Sequence, residues 1–196
     1  MDRLATRRRL EVDDRRRQLL GVGVDLFAKH AYDELSMRKI ANAAGISHAL
    51  LYRYFPSKQS YFRAALEQAA EELRARTAPD PSLPPWEQLV AGLEGFLELV
   101  DENALAYLQL MRSVASAPEV RELIDEVRET TSDRILEGLF GDQVPPKARA
   151  AVKGWLWYMD GVLLDWIEHR DLARDEIRDL LLATLVAALA AAGPRS

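Results

Sequence analysis

Side chains able to do chemistry are few in this 196-residue chain, and they are unevenly placed. There are no cysteines, so disulfides, thiolate metal sites and thiol catalysis are excluded. The three histidines, His30, His48 and His169, stand far apart with no metal-ligand spacing. No nucleophile–base pair, phosphate loop or paired-carboxylate motif stands out, which argues against an enzyme and against a bound cofactor. One cluster does stand out: Arg38, Ser47, His48, Ala49, Tyr52, Arg53, Tyr54 and Lys58. Its chemistry is recognition, with hydrogen bonds to base edges and contacts to phosphate oxygens. A second, looser set is Phe96, Tyr107, Met111, Trp155, Tyr158, Met159, Asp160 and Trp166. These groups suit the lining of an apolar small-molecule cavity with one polar contact, although any single aromatic among them reads better as plain core or interface.

The first cluster needs short helices to hold it. In Leu35–Phe55, Ile40, Ala41 and Ala44 recur at helical spacing after Ser36, a good N-cap. Gly45 supplies the positive-φ position at which a helix stops and turns. Ser47 caps a second segment with Leu50, Leu51 and Tyr54 on its apolar side, and Pro56 ends it. This is a helix-turn-helix pattern, whose second helix can enter a DNA major groove. Lys58 falls in the first turn of the next helix, poorly placed for the helix dipole unless a phosphate approaches there as well. Helix one is expected to start near Asp13–Asp14, with Leu19, Leu20, Val24, Phe27 and Ala28 beneath the short helices.

The run Asp25-Leu26-Phe27-Ala28, then Tyr32, Ser36, Ile40-Ala41, Ala44-Gly45-Ile46-Ser47, Leu51-Tyr52, Tyr54-Phe55 and Ser57-Lys58, resembles the DNA-binding domain of TetR-family transcriptional regulators. The resemblance covers about the first third of the chain. It implies a homodimer on a palindromic double-stranded operator, usually with an effector pocket in a C-terminal bundle. One position departs from the family pattern: Ala31, after His30, replaces the glycine that usually precedes the tyrosine. A left-handed helix stop would therefore fall to His30.

Charge agrees with a polyanion meeting only one end of the chain. Met1–Arg63 carries 13 Lys and Arg against 7 Asp and Glu, a surplus of +6, while the remainder carries −11, for a net −5. Residues 1–12, with Arg3, Arg7, Arg8 and Arg9, read as a flexible basic arm. Residues 13–56 read as the helix-turn-helix domain, 57–78 as a connecting helix toward Arg76, and 79–196 as a ligand-binding and dimerisation domain. The proline-rich Thr77–Pro85 marks the boundary. Beyond it, helices are predicted over Trp86–Val100, Ala104–Ser116, Glu119–Leu139, Lys147–His169 and Asp175–Ala192, and no segment alternates like a strand. The fold class is all-α, an N-terminal three-helix domain followed by a dimer-forming helical bundle.

The helix around Trp155–Ile167 is apolar nearly all round and must be covered on more than one side. A two-fold partner would do this through Trp157, Gly161, Leu164, Leu181, Leu185 and Leu189. Asp160 and Asp165 are costly to bury on such a helix unless paired, either with Arg112, Arg121, Arg128 or Lys153 or with a cationic effector. No signal peptide or membrane span is visible, which points to the cytoplasm. The expectation is a ligand-responsive regulator, more often a repressor, that releases DNA when an effector binds. The alternatives are a helical interaction protein, or an activator without a small-molecule effector.

Overall fold

The computed structural model describes residues 2–78 and 80–192, the side chains of 2–13, 115 and 116 excepted. Nine α-helices follow one another among them: α1 Asp2–Lys29, α2 Met37–Ala43, α3 His48–Tyr54, α4 Lys58–Arg76, α5 Pro85–Glu102, α6 Ala104–Ser116, α7 Pro118–Phe140, α8 Pro146–His169 and α9 Arg174–Ala192. The described residues contain no strand.

Helix α1 begins at Asp2, not near Asp13–Asp14, so the backbone is helical where a flexible arm is expected. The stretch from Asp2 to Gln18 has neither glycine nor proline and is rich in Arg, a good helix former. The side chains of Arg3, Arg7, Arg8 and Arg9 lie outside the described residues. The left-handed stop expected at His30 does not form, since Arg170 is the non-glycine residue with positive φ among the described residues. Ala31 instead leaves the helix in extended geometry (φ −61°, ψ 152°) and a 3-10 turn, Tyr32–Glu34, follows. The Ala31 N–H is satisfied by the Glu34 carboxylate at 3.3 Å, which removes the need for a left-handed residue.

Packing divides the chain into two units: residues through Glu72 with Leu105–Arg121, and Leu73–Ala104 with Glu122 onward. Nearly all of α6 and the first turn of α7, expected in a C-terminal domain, therefore pack with the first unit. The core of that unit is Leu19, Leu20, Phe27, Tyr32, Ile40, Leu51, Phe55, Tyr61 and Phe62. Its aromatic rings interlock, with Phe27 edge-on to Phe62 at 4.2 Å and Phe55 edge-on to Tyr61 at 4.8 Å. The Tyr61 hydroxyl donates to the Leu19 carbonyl at 2.5 Å. That approach requires Gly23, where a Cβ would stand 2.7 Å from the same hydroxyl.

In the second unit α8 and α9 run antiparallel. The Trp155 indole donates to the Leu181 carbonyl and the Trp166 indole to the Leu172 carbonyl, both at 2.9 Å. Arg170 closes α8 at φ 53°. Three arginines spaced four residues apart, Arg170 after the end of α8 and Arg174 and Arg178 on α9, pair with Asp101, Glu98 and Glu94 on α5. On α5, Gly95 accommodates the end of α4, since a Cβ there would meet the Arg76 carbonyl oxygen at 2.8 Å.

The expected dimer residues divide. Leu181 and Leu185 are 0% exposed within one chain, so they are core and not interface. The apolar surface of α9 is wider than one stripe: Ile177, Leu181 and Leu185 face inward, while Leu180 and Val186 remain outside. On α8, Trp157 (58% exposed) and Gly161 are outside with Gly154 and Tyr158; Leu164 on α8 and Leu189 on α9 are half-buried.

Candidate functional site

The helix-turn-helix is built by local chemistry. The Ser36 hydroxyl accepts the Lys39 N–H at 3.3 Å and caps α2, and the Ser47 hydroxyl accepts the Leu50 N–H at 3.2 Å and caps α3. Between them Gly45 adopts φ 63°, reached without steric cost because it has no Cβ. Ser57 and Ser60 then cap the start of α4 reciprocally, each hydroxyl accepting the other residue's N–H at 3.0 Å.

These caps aim α3 so that Leu51 is fully buried while Ser47, His48, Ala49, Tyr52 and Arg53 face outward. His48 and Tyr52 stand edge-to-face with centroids 4.7 Å apart, forming one aromatic pair on the outer surface. Arg38, on α2, is exposed as well, and Tyr54 is half-buried at the end of α3. The face therefore presents an imidazole, a phenol, two guanidinium groups and small residues. Such a surface can read base edges and hold phosphates.

Lys58 is placed differently from the expectation of a free phosphate contact. Its ammonium donates to the Tyr32 carbonyl at 3.0 Å and lies 3.9 Å from the centroid of the Tyr32 ring. Lys39 likewise donates to the Glu34 carbonyl at 2.8 Å. Two lysines thus clamp the 3-10 turn. At the far end of Tyr32, its hydroxyl donates to Glu119 Oε1 at 2.7 Å. Burial first, and then the bond to Glu119, pushes this phenol above its ordinary value. The Glu119 carboxyl is held below its ordinary value by its own backbone N–H at the start of α7, then by the Tyr32 hydroxyl and by the charge of Lys58. Glu119 is absent from the sequence reading because its partner is 87 positions away and no periodicity links them.

The looser aromatic set is shared between the two packing units. Trp155, Met159 and Trp166 are buried, and both indole N–H groups are spent on carbonyls of their own unit. Tyr158 is exposed and Phe96 half-buried, while Tyr107 and Met111 belong to the other packing unit. Asp160 is already paired: Arg128 donates to its Oδ2 from Nε at 3.0 Å and from Nη2 at 2.6 Å. Arg128 is one of the four partners the sequence offers, and the pairing removes the argument for a cationic effector. The same guanidinium lies 3.8 Å from the Trp157 ring centroid. Asp165 is exposed, 3.4 Å from His169. A cavity of about 240 Å³ lies elsewhere, lined by Glu94, Leu97, Arg174, Asp175 and Arg178. Among the described residues no three His, Cys, Asp or Glu side chains gather to hold a metal, and no helix is long and apolar enough to cross a membrane.

Comparison with known proteins finds two family models that match the chain. The family model of bacterial regulatory proteins of the TetR family matches residues 19–65, and that of the tetracyclin repressor-like C-terminal domain matches residues 85–188. The chain is 27% identical over 167 residues to the HTH-type transcriptional repressor KstR of Rhodococcus jostii, covering 83% of this chain and 77% of the relative. It is 26% identical over 132 residues to the HTH-type transcriptional activator FasR of Mycolicibacterium smegmatis, covering 66% of this chain and only 60% of the relative's length. Among solved structures, a TetR-family transcriptional regulator from Streptomyces coelicolor superposes with a TM-score of 0.80 at 32% identity, over 92% of this chain and 82% of that one. With its capped helix-turn-helix near the N-terminus, the chain belongs to the TetR family of bacterial transcriptional regulators.

Proposed function

We propose that this chain is a homodimeric repressor that binds a palindromic operator through α3 and releases it when a small molecule occupies the helical bundle. The carrying observation is the outer face of α3, where Ser47, His48, Ala49, Tyr52 and Arg53 are exposed while Leu51 anchors the helix at 0% exposure. A helix held that firmly on one side and lined with donors on the other suits a major groove, with half-sites about one helical turn apart. Arg38 and Tyr54 flank that face. Residues 13–56 act as the DNA-binding domain, with α4 leading from it to the bundle. The dimer forms through the outer faces of α8 and α9, where Gly154, Trp157, Gly161, Leu180 and Val186 lie open. The protein works in the cytoplasm.

Repression is favoured over activation because the match to KstR extends over 83% of this chain and that to FasR over 66%. The effector is apolar or aromatic, since Asp160 already has its cation in Arg128. By linkage, operator and effector weaken each other by one common factor, about 5–150-fold.

The test starts from DNA segments recovered with the protein from its own genome. An operator found this way should bind two chains, and Arg53→Ala or His48→Ala should lower its preference over random duplex by about 1–3 kcal/mol. Equal affinity of the wild type for all duplexes would favour a helical interaction protein. Equal effector affinity with and without operator would leave a regulator controlled in some other way.

A further inference from the structure

Lys58 is the first residue of α4, where a cation faces the positive end of the helix dipole. Tyr32 offsets that cost twice, through its carbonyl at 3.0 Å and its ring face at 3.9 Å. Tyr32 is itself closely packed: it is buried, and its ring stands edge-on to Phe62 at 4.8 Å. Its hydroxyl is the donor that fixes Glu119 at 2.7 Å. One residue thus holds an ammonium at its carbonyl and ring face and a carboxylate at its hydroxyl. An ammonium has three donors, and the Tyr32 carbonyl takes one. Lys58 therefore keeps donors for a phosphate while standing in the field of Glu119.

We propose that Glu119 and Tyr32 are positioning residues for DNA binding: Tyr32 presents Lys58 to the phosphate backbone, and Glu119, tethered to the Tyr32 hydroxyl, weakens the attraction of that ammonium for phosphate. The inference rests on the reading that α3 and the start of α4 face DNA. Glu119 opens α7 and packs, with most of α6, in the same unit as the helix-turn-helix. A carboxylate far away in sequence thereby sets how tightly the basic end grips any duplex, without touching a base. If Glu119 loses its tether, it can turn to Lys58 directly and compete with phosphate outright.

The test uses full-length dimer variants, checked for native helix content, against the recovered operator and a random duplex across a salt series. Glu119→Gln keeps an acceptor for the Tyr32 hydroxyl and removes the charge. It should tighten binding to both duplexes by about 3–10-fold at low salt and steepen the salt slope by up to about one unit. Tyr32→Phe keeps the ring and frees Glu119, and should loosen both duplexes several-fold. The double variant should behave like Glu119→Gln, and in a Lys58→Ala background Glu119→Gln should change nothing. A purely structural role would weaken binding in both single variants alike. That outcome, or an effect of Glu119→Gln that persists without Lys58, overturns the assignment. Heparin, a polyanion without sequence, separates the two possible failures. A wild type that prefers no duplex counts against the operator reading alone, whereas Glu119→Gln eluting from heparin at the wild-type salt concentration counts against the Lys58 assignment.

Discussion

Two buried phenols sit at the heart of the first unit. Tyr61 donates its proton to the Leu19 carbonyl and Tyr32 donates its own to Glu119, so both are useful only while protonated. Burial pushes both above the ordinary 10.0, with the neighbouring carboxylate adding to the effect at Tyr32. In the unfolded chain each ionises near that ordinary value, so above it the unfolded state has lost protons that the folded state retains. Their contribution to stability is therefore complete below pH 10.0 and is lost as pH rises from there toward the folded values. Urea midpoints should hold from about pH 8 to about pH 9.5 and then fall steadily, and Tyr61→Phe should flatten the fall. Midpoints that stay level to about pH 11 would mean that the phenols ionise freely in the folded protein. At this scale, what the sequence made legible was local. Ser36, Ser47 and Gly45 act on backbone within three residues, and their roles can be read from residue type alone. Lys58 was legible as a cation in an awkward place. What resolves the awkwardness is a carbonyl 26 positions away, together with a carboxylate further along the chain that no local rule reaches.

At the scale of elements, the apolar period of 3.6 located α5 to α9 to within one or two residues, because each has a continuous stripe and a proline, glycine or loop at its ends. The period located the helices but not the direction of every stripe. Helix α9 carries apolar or small residues on most of its circumference, so Leu181 and Leu185 suited an interface as well as they suited a core. Only packing against α8, with the Trp155 indole on the Leu181 carbonyl, turns them inward. This separates two substitutions one residue apart. Leu185→Glu should bury an unpaired charge in the subunit, costing about 3–5 kcal/mol and lowering the melting temperature sharply. Val186→Glu, at a position 49% exposed, should leave the subunit folded and convert the dimer to monomer in sedimentation. A Val186→Glu protein that sediments as a tight dimer would move the interface away from this face of α9. Helix α1 shows the opposite error, since its arginine-rich start reads as a solvated tail by composition while arginine is itself a good helix former.

For the whole molecule, the charge split anticipated that DNA-binding residues lie at one end of the sequence, and the TetR-family match over residues 19–65 agrees. The proline run Thr77–Pro85 was less informative: it marks a loop, yet packing places Leu105–Arg121, well beyond it, with the first unit. Prolines record where a helix must stop and carry no information on which helices later pack together. The indole environments carry a practical consequence. Trp155 and Trp166 are buried with their N–H groups bonded, whereas Trp86 and Trp157 are exposed, and Trp157 is stacked on Arg128. The chain therefore carries two populations of intrinsic fluorophore. Acrylamide should quench a red-emitting pair readily and a blue-emitting pair poorly. Because Trp157 lies on the face assigned to self-association, dilution should increase its share of the quenchable emission, and Trp157→Phe should abolish that concentration dependence while leaving the response of Trp86 intact. A quenching curve independent of dilution would place Trp157 outside the contact between subunits. Without any added label, the emission spectrum would then report the dimerisation constant.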